Sequence, residues 1–353
     1  MSFSPSIRQT FFGASPDGQN VSLFVLQNAD IEVHITNFGG VITRILAPDA
    51  QGKLGDIALG FDELPPYFKD SPYFGAIIGR VGNRLAGGRF AIGDNSWQLD
   101  LNDGENHLHG GWKGFDKVVW VPTSFVTEKE VGLRLFYLSP NGDQGYPGNL
   151  QVTVTYTLNA QNELQVDYHA VTDQPTPVNL TQHTYFNLAG GGGVMNHRLT
   201  LNADRFTPVR AGLIPTGELR PVAASPFDFR EAKAIGKDIG AEDEQLQLGR
   251  GYDHNFVLNK TSPGELSLAA RIEEDTTGRV LEVLTTEPGA QFYSGNFLDG
   301  SLSARGQSFG HRSGFCIEPQ HFPDAPNQPE FPSIILNPGE DYISQTKFRF
   351  LTR

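Results

Sequence analysis

The chain has 353 residues, with 40 glycines, 23 prolines, one cysteine and a formal net charge of −13. Charged residues make up 19%, below the ~25% of an average soluble protein, so abundant turn formers and scarce charge indicate many short strands joined by loops. Collagen, coiled coils and helical bundles are excluded by composition, disorder is opposed by 38% hydrophobic residues, and the acidic balance opposes general binding to nucleic acid or anionic membrane.

Length alone suggests about two domains, yet all-β units run well past ~200 residues as one. No linker and no fixed-period repeat divides this sequence, and residues 1–353 are expected to form a single domain. Cys316, the lone cysteine, has no partner for an intramolecular disulfide. The first twenty residues show no apolar core behind a basic stretch, and no apolar run approaches the ~18 residues of a membrane span. A cytoplasmic location is the resulting expectation.

Along the chain, period-2 alternation dominates. It appears at residues 31–35 and 133–137, then most clearly at 150–158, where Leu150, Val152, Val154, Tyr156 and Leu158 are apolar and the intervening positions polar. After a turn at 159–163 the pattern repeats through Leu164, Val166, Tyr168 and Ala170, which predicts a hairpin with one buried face. Further strands are expected at 199–201, 280–284 and 342–351. Helical candidates are few: residues 230–239, with Ala232, Ile235 and Ile239, and residues 241–248. The predicted architecture is a large antiparallel β-sandwich with long loops on one face.

Six segments carry candidate chemistry. Residues 77–90 hold Arg80, Asn83, Arg84 and Arg89 on a glycine pattern that matches neither phosphate loop. An Asn-Arg pair there suits the hydroxyl groups of a neutral ligand, and surface-loop positions are the competing explanation for Arg80 and Arg89. Residues 104–116 carry His107 and His109 as H-x-H, but no third metal ligand follows at a matching spacing. One histidine beside Gly110 and Gly111, where backbone can approach a ligand, is the stronger functional expectation. In residues 178–188, read as a strand, Asn179, Thr181, His183, Tyr185 and Asn187 share one face. Five hydrogen-bonding side chains together suggest a polar ligand, and a solvated outer face is the alternative. Tyr252–Asp253–His254 and the Gln291/Tyr293 pair are weak signals singly. In residues 313–329, Gly314, Cys316 and Glu318 share a face opposite Phe315 and Ile317, and Glu318 ends an apolar strand; a strand-end ion pair is the alternative there. No G-x-S-x-G elbow is present, and Cys316 has no basic neighbour in sequence to activate it.

In combination and order, the strings ITNFGG, GRVGNR, NHLHGG, NLTQHTYFNL, YDHNF, PGAQFYSGNF, GFCIEPQHFPDAPN and LNPGEDY resemble the galactose mutarotase (aldose 1-epimerase) family. The resemblance implies a mutarotase-type supersandwich that interconverts the α and β anomers of free hexoses such as galactose and glucose, with no cofactor and no metal. It places the general acid on His183, the general base on Glu318 and a second active-site histidine on His109. Sugar contacts fall on Asn83, Arg84, Tyr185, Asp253 and Gln291, while Gln182 is expected to face away. Phe292 and Trp112 are candidates to cover the apolar face of the sugar.

The chemistry is consistent with two titratable groups. Ring opening needs a proton delivered to the ring oxygen and another removed from the anomeric hydroxyl. An ionised Glu318 and a protonated His183, held so by nearby carboxylates, are expected at neutral pH. Alternatives are a hexose-6-phosphate epimerase, which would need an added cationic site, a non-catalytic sugar-binding module, and a metal-dependent cupin-like enzyme. A monomer or homodimer acting on a small aldose is expected.

Overall fold

The computed structural model describes residues 4–69 and 71–353. Three antiparallel sheets carry most of the chain. Strands Ser6–Ala14, Asn20–Asn28, Ile31–Thr36, Ile42–Pro48 and Leu54–Asp56 follow one another as a five-stranded meander. A nine-stranded sheet is centred on Tyr342–Thr352, which pairs with Glu163–Thr172 on one side and with Arg279–Thr285 on the other. The third sheet runs in the order Arg220–Pro221, Ala203–Phe206, Asp253–Leu258, Gly289–Tyr293, Cys316–Gln320; the last three of these strands form the floor of the site.

The expected hairpin forms, with Leu158 opposite Leu164 and Leu150 opposite Thr172. Its even-numbered residues Leu150, Val152, Val154, Tyr156 and Leu158 are completely buried. One continuous apolar cluster joins all three sheets, from Phe24, Val33 and Ile45 through Val154 and Val283 to Phe256, Phe292 and Ile317. Strand alternation produces this directly, because every second side chain of each inner strand enters the shared core.

Two sequence expectations fail locally. Residues 230–239 form no helix: Lys233–Ala234 is a short strand paired with Arg198 and Leu199. Ile235 and Ile239 are buried but Ala232 is exposed, so two anchors and a helix-weakening Gly236 lose to strand pairing. Helix is present only at Glu244–Gly249 of the second candidate, where the Asp243 carboxylate accepts hydrogen bonds from the Gln245 and Leu246 amides and so starts the helix later than expected. The stretch 178–188 is not one strand either. It is an extended crossing segment in which Thr181–Gln182 pairs with Ile77–Ile78 and Phe186 bridges Ala58 and Phe315.

Candidate active site

The third sheet turns its two faces to different tasks. Phe256, Phe292 and Ile317 enter the core, while Asp253, Gln291, Tyr293, Cys316 and Glu318 point the other way. Pairing aligns Asp253 with Tyr293 and Cys316 in one cross-strand row, and Asn255 with Gln291 and Glu318 in the next. A cavity of about 140 Å³ opens above these rows, lined by Pro72, Tyr73, Asn83, Arg84, Leu108, His109, His183, Tyr185, Asp253, Tyr293, Phe297 and Glu318. It is small beside the few hundred Å³ of a typical drug-sized site, which suits one sugar ring.

His183 and Glu318 face one another, with Nε2 and Oε2 3.5 Å apart and both side chains almost fully buried. Oε2 accepts no hydrogen bond from any described group. A buried carboxylate oxygen without a donor is costly, and a ligand hydroxyl is the natural missing partner. On its far side His183 Nδ1 lies 3.6 Å from the Cys316 thiol. Its backbone is tied to the loop above by His183 N–H to the Ala76 carbonyl and by Gly75 N–H to the His183 carbonyl.

Burial opposes charge on both partners. It pushes the His183 imidazole down to about 4 and raises the Glu318 carboxyl well above its usual range, with the neighbouring Asp253 carboxylate adding to the rise. Desolvation therefore opposes the expected Glu⁻/His⁺ resting pair and favours the neutral form of each group over the pull of the carboxylates around His183. The dyad holds one proton with both groups close to neutral.

His109 reaches the cleft by leaving the strand its sequence suggested. Only His107–Leu108 is extended, and His109 adopts a left-handed φ of 51°. Asn83, also left-handed at 61°, donates its amide to His109 Nδ1 at 3.0 Å and accepts the His109 amide on its carbonyl. This main-chain donor fixes the tautomer, so His109 presents an N–H at Nε2 and stays neutral, in line with burial holding its basicity well below normal. His107 lies outside the site: its nitrogens bond the Asp100 carbonyl and the Tyr146 hydroxyl.

The same observation bears on metal binding. Ligating atoms of His109, His183 and Glu318 lie within 4.8 Å of one another, but Asn83 occupies one nitrogen of His109 and the proton the other. Neither offers a lone pair to a cation, so these residues do not fit a three-ligand metal centre.

The sugar-contact candidates divide. Asn83, Arg84 and Asp253 line the cleft, with Arg84 oriented by Asp103 at 2.7 Å. Tyr185 lines it too, but its hydroxyl donates to the Pro72 carbonyl and its ring stacks on His183 at 5.2 Å. Gln291 stands in the cross-strand row of Glu318 and touches the cleft wall through Asp253. Its Nε2 donates to Asp253 at 2.8 Å and its Oε1 accepts from Gln320, so Gln291 braces Asp253 from below. Gln182 faces away as expected, donating to the Gly75 carbonyl. Asn179 and Asn187, placed on the His183 face by alternation, are spent on backbone at His321 and Ser313. Phe292 is core and Trp112 stands exposed outside the cleft; the aromatic walls are Tyr73, Tyr185, Tyr293 and Phe297.

Arg80 is not a surface residue. Its buried guanidinium donates to Ser139, Thr176 and the Pro140, Pro147 and Gly148 carbonyls. Arg89, by contrast, is exposed and bonds Gln98. Among the described residues Arg84 is the one lysine or arginine on the cleft wall, and Asp103 engages it, which gives a sugar phosphate no free cation. Sequence reasoning missed Tyr73, Leu108 and Phe297 and gave Tyr293 only a weak signal; Leu108 and Phe297 lie inside quoted motifs, but none of the four carries an acid–base signal. A larger cleft of about 730 Å³, near Lys260 and His321, holds a His321–Glu287 pair whose facing atoms are bonded directly to each other at 2.6 Å.

Comparison with known proteins agrees with this geometry. The aldose 1-epimerase family model matches residues 22–349. The chain is 46% identical to a galactose mutarotase from Rattus norvegicus over 349 residues, covering 98% of each, and 38% identical to an aldose 1-epimerase from Escherichia coli K12, covering 96% of this chain and 97% of that one. Its fold is similar to the crystal structure of a galactose 1-epimerase from Lactobacillus acidophilus, with a TM-score of 0.88 at 29% identity and 99% coverage of both chains. A family match across almost the whole sequence, joined to a buried His–Glu couple in a sugar-sized cleft, places this chain in the aldose 1-epimerase family.

Proposed function

We propose that this protein is a mutarotase that interconverts the α and β anomers of free hexoses such as galactose and glucose, with Glu318 as general base and His183 as general acid. The observation that carries the assignment is the unpartnered Glu318 Oε2 facing His183 Nε2 at 3.5 Å within the one-ring cleft. An anomeric hydroxyl at Oε2 supplies the missing donor, which favours the carboxylate and moves the shared proton to His183. Glu318 then takes the proton of O1–H as the C1–O5 bond breaks, and His183 delivers its Nε2 proton to O5. The open aldehyde turns about C1–C2. Closure on the other face returns both protons, so the dyad ends as it began.

His109 contributes an N–H donor to sugar oxygen and moves no proton, because its second nitrogen is committed to Asn83. Arg84, Asn83 and Asp253 hold hydroxyl groups and fix orientation. The enzyme works as one domain over 1–353, as a monomer or homodimer in the cytoplasm; the continuous core and the unpaired, buried Cys316 support the first and the last. Among the described residues no helix is long and apolar enough to cross a membrane. Polarimetry on freshly dissolved α-galactose tests the assignment. Acceleration by wild type and its loss in Glu318→Gln and His183→Asn are expected; a wild type without acceleration overturns it.

A further inference from the structure

Tyr73 belongs to none of the chemical signals in the sequence, yet its ring packs against both cleft histidines. Its ring centroid is 4.6 Å from that of His109, edge-on, and 5.8 Å from that of His183, tilted by only 31°. Tyr185 lies 5.2 Å from the same imidazole at 27°. His183 is thus attended by two near-parallel tyrosine rings. Their spacing is set by covalent and hydrogen-bonded links: the Tyr185 hydroxyl donates to the carbonyl of Pro72, the residue before Tyr73. The Ala76 amide closes the Tyr73 turn and the Ala76 carbonyl receives the His183 amide. Lys117 Nζ lies 5.5 Å from the Tyr73 ring centroid, with its charge balanced by buried Asp116 at 3.1 Å.

We infer that Tyr73 is a positioning residue whose π-face, with that of Tyr185, stabilises His183 as the imidazolium during ring opening. The inference rests on the acid–base assignment above and deepens it. Burial drives His183 toward neutrality, yet its role requires a positive ring beside a departing proton. The groups facing it are Glu318 at 3.5 Å, the Cys316 thiol at 3.6 Å and neutral His109 at 5.3 Å between ring centroids, with Arg84 and Asp253 across the cleft. Only Glu318 and Asp253 among these can counter the charge, and burial pushes both carboxyls up, toward their neutral forms. An aromatic face within ~6 Å attracts a cation without itself titrating near neutral pH. The two tyrosines supply what the carboxylates withdraw.

The test keeps shape constant and drains the ring quadrupole. Position 73 is replaced by phenylalanine and then by mono-, di- and trifluorophenylalanine, with Tyr73→Leu as the end point, and kcat, KM and the pH profile are measured on galactose. Phenylalanine should retain activity, while kcat should fall progressively with fluorination by roughly 3- to 30-fold in total, the range of a desolvated cation–π contact. KM should change little, and the alkaline limb of kcat should move to lower pH as the imidazolium becomes easier to deprotonate. Constant kcat and a constant alkaline limb across the series overturn the inference, as does a Tyr73→Phe variant as impaired as Tyr73→Leu. The fluorinated series decides even where the leucine variant does not fold. Failure of the underlying assignment looks different: wild type would not accelerate mutarotation, or Glu318→Gln would match it.

Discussion

Replacing Glu318 by glutamine changes one oxygen to an amide nitrogen and leaves the strand, its pairing to Gln291 and the packing of Ile317 in place. What changes is proton chemistry. Among the described residues Glu318 is the carboxylate in contact with His183, and a positioned general base typically contributes ~10²–10⁴ in rate, equal to roughly 3–5 kcal/mol of barrier. The folded state should not suffer, because Oε2 forms no hydrogen bond that the amide would break. The melting temperature should therefore hold or rise while kcat collapses. Polarimetry of fresh α-anomer gives the rate, and thermal unfolding gives the stability. Since His183 and Glu318 share one proton and act as a unit, the double variant with His183→Asn should be scarcely worse than either single one. A Glu318→Gln loss below roughly tenfold, or multiplicative losses in the double variant, would refute the dyad.

Gln291→Leu removes the amide that braces Asp253, so KM for galactose should rise roughly tenfold, as expected for a lost hydrogen bond to a charged group, with kcat changed less; a kcat loss at constant KM would put Gln291 on the reacting atoms. Arg80→Met orphans the carbonyls of Pro140, Pro147 and Gly148 and should cost about 3 kcal/mol or more, read from urea unfolding; a cost under ~1 kcal/mol would deny Arg80 its clamping role. Dialysis against a chelator should leave the rate unchanged, and a loss restored by zinc would contradict the tautomer assigned to His109. His254 is buried, packs 4.7 Å from the Phe227 ring and is pushed down by burial to about 3. Its folded-state basicity lies below the unfolded ~6.5, so the unfolded chain binds the extra proton and stability falls as pH drops from 6.5 toward 3. Relative to His254→Phe, wild type should lose ~1.4 kcal/mol per pH unit across that window, measured by denaturant titration; parallel curves for the two proteins would refute the account.

The strands were legible wherever one face is buried, because apolar alternation and burial are then the same fact. Leu150 to Leu158 shows this, and so does Cys316-Ile317-Glu318, where alternation alone separates core from cleft. The same rule misplaced Asn179 and Asn187. Residues 178–188 cross several partners instead of following one, so a shared face in sequence does not become a shared face in space. His109 was found by its glycine neighbours, yet its orientation depends on a left-handed turn and a main-chain donor 26 residues earlier. Nor does sequence convey desolvation. The charge states expected for His183 and Glu318 followed from side-chain chemistry in water, and the enclosed cleft reverses that balance.

The reciprocal pair between Asn83 and His109 has an evolutionary consequence. The donor that dictates which way His109 offers its proton is an amide of the main chain, and every residue except proline carries one. Side-chain substitutions around the cleft can therefore alter which sugar is held without reversing the polarity of that imidazole. Substrate preference is free to drift, while the direction of this one hydrogen bond is inherited with the path of the backbone.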